Sequence, residues 1–240
     1  DKEQLIDELR QQLLRVPSND QEAQMEALRY FKLSHSLHVA ACEVTGILPL
    51  LKVSDYLTSI AEAILTHTVE IAWNEMTEKY GNPSGRTSKK SEFLIIGYGK
   101  LGSIELGHNS DLDLVFIYDA NRNDQTDGDK SIDNETFFIR LGQKIIHILT
   151  TRLASGVLYE VDVRLRPSGR SGMLVSSLEA FEKYQLNNYL KTYYPNYTPL
   201  SYSDLIADTY IINSSNSFQD FKNFLELNKN NFFKKYKNNK

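Results

Sequence analysis

Residues 93–118, FLIIGYGKLGSIELGHNSDLDLVFIY, restrict the possible fold of this chain more than any other stretch. The apolar run Phe93-Leu94-Ile95-Ile96 has the length of a buried strand and is too short for a helix. A glycine-spaced turn follows, Gly97-Tyr98-Gly99-Lys100-Leu101-Gly102-Ser103. The segment Ser110-Asp111-Leu112-Asp113-Leu114-Val115-Phe116 then reads as a second strand. Side chains alternate along a strand, so Asp111 and Asp113 share one face while Leu112 and Leu114 point into a core. Two ionised carboxylates this close raise each other's pKa unless a positive charge sits between them. Mg²⁺ is the usual remedy, since it takes one or two carboxylates together with substrate phosphates. Glycines just before such a pair let backbone N–H groups approach a phosphate chain. The pattern predicts a metal–triphosphate site, with Gly97, Gly99, Lys100, Gly102, Ser103 and Ser110 on the phosphate side. The competing reading, an Asp-Leu-Asp with its acids in water on an edge strand, leaves the glycines without a purpose.

A third acid lies further along. In Leu158–Arg166, LYEVDVRLR, residues 158, 160, 162, 164 and 166 alternate strictly with Tyr159, Val161, Val163 and Leu165, which predicts a strand across this span. Asp162 then stands between apolar neighbours, followed by Arg164 and Arg166. Those arginines are planar, permanently charged forks. They either hold phosphate oxygens or neutralise Glu160 and Asp162 across the sheet.

GYGKLGSIELGHNSDLDLVFIYD, followed by LYEVDVRLRPSGRSGMLVSSLEAFEKY, resembles the bacterial glutamine synthetase adenylyltransferase family, from about residue 20 to about residue 186. That family is bifunctional, with one nucleotidyltransferase domain removing AMP from a tyrosine of glutamine synthetase and another adding it. The wording here is more similar to the adenylylating copy. The resemblance implies an α+β fold: an N-terminal helical segment, then a polymerase-β-type nucleotidyltransferase domain with a small mixed sheet flanked by helices. It implies that Asp111, Asp113 and Asp162 are the catalytic and metal-binding acids for two Mg²⁺ ions, with ATP as substrate. It also implies glutamine synthetase as the protein substrate and a PII-type signalling protein as partner of the full-length family. Ser103 stands where the family has a second glycine. The phosphorolytic, AMP-removing reaction and a remnant that binds ATP without transfer are the alternative readings.

The organisation predicted for the whole chain has three parts: a helical segment at 1–90, the nucleotidyltransferase domain at 91–186, and a non-family tail at 187–240 that is disordered or partly helical. In the first, Leu5, Leu9 and Leu13 mark a helix ended by Pro17, Asp20 caps a second helix, and Ser54 or Asp55 starts a third that stops before Gly81. Residues 119–134 are acidic and nearly free of apolar side chains, which reads as a solvated loop or a lid. Residues 135–153 read as an amphipathic helix, Met173–Val175 as a short strand, and Ser176 or Ser177 as the cap of a helix reaching Tyr184. Residues 187–240 hold half of the 14 tyrosines and neither glycine nor arginine, and Phe218, Phe221, Phe224 and Leu225 keep a helical spacing there.

A net charge of −4 with no basic stripe argues against nucleic acid as a partner. No run of ~18 apolar residues suggests a membrane span, and the lone Cys42 fits a reducing, cytoplasmic setting. The chain opens on Asp1 without a methionine, as expected of a piece of something longer.

Overall fold

The computed structural model describes residues 2–84, 93–181, 183–184 and, as backbone, 210–212. Three helices come first: α1 (Lys2–Leu13), α2 (Gln21–Val44) and α3 (Leu50–Tyr80). Asp20 caps α2, its carboxylate accepting from Ala23 N at 3.0 Å. α3 begins four or five residues earlier than Ser54 or Asp55 would have it. Pro49, in an extended conformation, supplies the start, its carbonyl accepting from Lys52 and Val53 N–H. A proline carbonyl can open a helix without any side-chain cap, and a search for capping side chains passes over it.

α3 carries the longest buried face. Val53, Leu57, Ile60, Ile64, Leu65, Val69, Ala72 and Trp73 are all buried, and the Trp73 ring meets Phe137 edge-on at 5.5 Å. His67, also on α3, is buried, its ring nitrogens lying 2.7 Å from Glu70 Oε2 and 2.8 Å from Ile6 O. Gly81 ends the helix at φ +80°, where a Cβ would lie 2.0 Å from Gly128 N. The acidic 119–134 segment is therefore not a free excursion. Gly128 N donates to Tyr80 O and Asp127 N to Asn82 O, while Asn134 is fully buried and donates to Asn121 O.

The sheet begins with β1 (Phe93–Tyr98), antiparallel to β2 (Leu112–Tyr118), with one short helix, α4 (Gly99–Gly102), between them. Both strands are buried on both faces. Phe93, Ile95, Leu112, Leu114, Phe116 and Tyr118 pack into one core with α1–α3 and with α5 (Asn134–Thr150). Leu94, Ile96, Tyr98, Val115 and Ile117 face Phe181 on the other side. Phe181 belongs to a helical turn from residue 178, which Ser177 opens by accepting from Ala180 N.

The next two strands correct the sequence expectation. β3 is only Val161–Asp162, not 158–166, and β4 is Val175–Ser177, not Met173–Val175. Both run parallel to β2 along the same edge: β3 opposite Leu112–Asp113, β4 opposite Phe116–Tyr118. An edge already taken by β4 leaves no partner for a longer β3, so the intervening chain loops out. Strict alternation fails there too, since Leu158 and Tyr159 are adjacent and both buried, while Leu165 is exposed. The other edge of the sheet, on β1, pairs antiparallel with β5 (Tyr210–Ile212), a strand within the segment expected to be disordered or partly helical. The helical spacing at Phe218–Leu225 lies outside the described residues.

Candidate active site

The order β3-β2-β1-β5 puts the acid-bearing strands side by side. Asp113 is directly opposite Asp162 in the parallel register, and opposite Tyr98 on the antiparallel side. Asp111 immediately precedes β2 and is exposed, whereas Asp113 and Asp162 are half-buried. The three carboxylates interact. Burial, then Asp111, then Asp162 push the Asp113 carboxyl above the usual carboxylate range, with Arg164 and Lys100 pulling it back. Asp162 moves the other way. Its hydrogen bond from Arg164 holds it below the usual range, through Arg164 Nε to Oδ2 at 2.6 Å and Arg164 N to Oδ1 at 2.8 Å.

The glycine turn divides into separate parts. Gly97 lies inside β1, opposite Leu114. Gly99 and Gly102 open and close the single turn of α4. Gly99 has φ +55°, and a Cβ on it would lie 2.6 Å from Asp113 Oδ2. The space before that carboxylate thus exists because residue 99 has no side chain. Lys100 is exposed, near enough to act on Asp113. Ser103 turns inward on its own helix, its hydroxyl donating to Gly99 O at 3.0 Å and lying 3.1 Å from Glu105 Oε2. Ser110 Oγ accepts from Gly107 N at 3.0 Å and so closes the turn that delivers Asp111.

A cleft of about 560 Å³ opens beside β3, lined by Asp111, Glu160, Asp162, Arg164, Arg166 and Arg170 among others. Arg166 shapes this cleft from within. Its guanidinium donates to the carbonyls of Val163 (2.7 Å), Gly172 (3.3 Å) and Arg170 (3.3 Å), which braces the looped-out segment. Arg170 lines the same cleft and contributes to the field at Asp162. The strand pattern could not single it out, because it lies beyond Pro167 in the turn.

Among the described residues, no three His, Cys, Asp or Glu side chains form a preassembled metal cage. Mg²⁺ does not require one; it binds through one or two carboxylates and substrate phosphates, keeping several waters. Two hard carboxylates, one with its pKa raised by burial and by its acidic neighbours and a side-chain-free space before it, fit that mode of binding. A larger hollow of about 740 Å³ lies between α1, α2 and α3 and contains none of these acids.

A family model, glutamate-ammonia ligase adenylyltransferase, matches residues 1–189. The chain is 59% identical over 186 residues to the bifunctional glutamine synthetase adenylyltransferase/adenylyl-removing enzyme of Pseudomonas putida. It is 58% identical over 184 residues to the protein of that name from Pseudomonas aeruginosa, and 58% over 183 residues to that of Hahella chejuensis. These matches cover 77%, 76% and 75% of this chain, and 19% of each relative's length. The family match starts at residue 1 and so adds α1 to the span, from about residue 20 to about residue 186, over which the motifs suggested the resemblance. With most of its length matched, the chain belongs to the glutamate-ammonia ligase adenylyltransferase family.

Proposed function

We propose that this chain carries an adenylyltransferase site that moves AMP from ATP to a tyrosine hydroxyl of glutamine synthetase. The observation that carries the reading is the Asp113–Asp162 register beside Gly99, in a chain whose relatives are named for adenylyl transfer and removal on glutamine synthetase. In the proposed reaction the tyrosine oxygen attacks the α-phosphorus and its proton is lost. The bond from the α-phosphorus to the bridging oxygen breaks, and pyrophosphate leaves. Asp111, Asp113 and Asp162 would hold Mg²⁺, which supplies charge for the triphosphate and lowers the pKa of the incoming hydroxyl. The other residues position the substrate, the larger part of catalysis in phosphoryl transfer. Gly97, Gly99 and Gly102 keep the turn lean enough for the phosphates. Arg164 can exchange the Asp162 carboxylate for a phosphate oxygen, and Lys100, exposed and close enough to act on Asp113, can take a phosphate oxygen directly. Ser103 and Ser110 fix the two turns, and Arg166 holds the wall of the cleft.

The relatives' name also contains adenylyl removal, so the second reading is phosphorolysis, in which phosphate attacks the α-phosphorus, the tyrosine oxygen leaves with a proton and ADP is released. A PII-type signalling protein is proposed as the regulatory partner of the full-length family, and the cytoplasm as its setting. Among the described residues no helix is long and apolar enough to cross a membrane. The test is transfer of label from α-phosphorus-labelled ATP to purified glutamine synthetase with magnesium present. In parallel, adenylylated glutamine synthetase is incubated with phosphate. Label on glutamine synthetase supports the adenylylating reading and phosphate-dependent ADP release the second. Magnesium-dependent ATP binding with neither reaction would reduce the chain to a nucleotide-binding remnant.

A further inference from the structure

β3 is two residues long and pairs with β2 only through Leu112↔Val161 and Asp113↔Asp162. A slip of one residue turns every side chain of a strand to the opposite face, which here would carry Asp162 away from Asp113. So short a ladder holds its register weakly, and the fixed point must lie outside the sheet. α2 supplies contacts on both approaches to the acids. Before β3, Lys32 Nζ donates to Leu158 O and lies 3.8 Å over the centroid of the Tyr159 ring. One turn earlier on α2, Arg29 donates to Gly156 O at 2.9 Å, to Ile148 O at 3.3 Å and to Thr151 O, while Glu26 accepts from the Ser155 hydroxyl. Before β2, at the other end of the helix, Glu43 pairs with His108 at 2.9 Å, three residues ahead of Asp111.

We propose that α2 is the splint that sets the register of the acidic site, and that Lys32 is its positioning residue. By holding Leu158 and Tyr159, Lys32 fixes the chain three residues before Asp162, so that this carboxylate stays beside Asp113. Lys32 is half-buried, its ammonium taken up by Leu158 O and the Tyr159 ring, so it acts through the backbone rather than on substrate. The local hydrogen bonds bracket the held segment: Tyr159 N donates to Leu149 O and Leu112 N to Glu160 O, each at 3.0 Å. Only the activity arm of the test rests on the AMP-transfer reading.

The experiment measures amide hydrogen exchange and AMP-transfer kinetics on the full chain, as wild type, Lys32→Met, Lys32→Arg and Glu43→Gln. In Lys32→Met the amides of Leu112 and Tyr159 should exchange about tenfold faster or more, with the β1–β2 ladder unchanged. Lys32→Arg, which keeps a cation over the Tyr159 ring, should restore slow exchange. Glu43→Gln, an exposed change that leaves the core alone, should loosen the Ser110 amide. For transfer, kcat should fall in Lys32→Met while KM for ATP stays within about twofold, and arginine should rescue kcat. Unchanged exchange at Leu112 and Tyr159 in Lys32→Met, or equal acceleration throughout the sheet, would overturn the inference. A wild type that transfers no AMP but shows the local exchange pattern would sink the functional reading and leave the splint standing.

Discussion

Asp113 is the residue at which folding and function pull in opposite directions. Burial and two neighbouring acids raise its carboxyl pKa, so its ionisation costs the native state stability above the usual carboxylate range. The penalty fades as pH falls and the group protonates. Asp113→Asn should therefore raise stability at pH 7 by about 0.5–2 kcal/mol, read from the urea midpoint, with the gain shrinking toward pH 3 and AMP transfer lost throughout. Asp162 has the opposite sign. Its pKa is lowered by Arg164, so its contribution is present above the usual range and lost as pH falls through its own, lower pKa. Gly99 completes the set: alanine there would meet Asp113 Oδ2 at a φ of +55°, costing about 1–2 kcal/mol. Gly99→Ala should lower the thermal midpoint and weaken ATP binding together. The closeness of Gly99 to Asp113 was legible in the sequence because strand period and glycine spacing are local; Asp162 was singled out through the family resemblance, and the long alternating strand read around it is two residues in the structure. Ser103 and Arg166 were less legible, since each spends its donors on carbonyls of its own turn, and such bonds depend on the turn's path.

Among the elements, β1 and β2 could be read from their apolar runs, α2 from helical spacing with Asp20 at its cap, and α5 from spacing alone, its cap Asp133 lying in the stretch read as a loop. β3 could not be sized from sequence, because its length is set by competition with β4 for one edge of β2. Nor could the helical residues that grip the loop before it. Arg29 is buried at 1% exposure, and its partners Gly156, Ile148 and Thr151 are more than a hundred residues away along the chain. Arg29→Met would leave those carbonyls without their charged donor, a loss of about 3 kcal/mol. Urea unfolding should show that drop with the slope unchanged.

Across the molecule, the sequence suggested a helical segment at 1–90 and a separate domain at 91–186, and a single core runs from Leu9 on α1 through α3 to Phe116 and Phe138. The helices and the sheet should consequently unfold together. Far-ultraviolet circular dichroism and the fluorescence of Trp73, packed between α3 and α5, should give coincident urea transitions; two separated midpoints would mean independent units. The same continuity is what lets α2 reach the acids. The most direct test of the central claim, that these acids form one site for a magnesium-bound triphosphate, is calorimetric titration of the chain with ATP, with and without Mg²⁺, for wild type and Asp113→Asn. Magnesium-dependent binding that disappears in the folded Asp113→Asn variant is the predicted result; binding that ignores Mg²⁺, or survives the substitution intact, would contradict it.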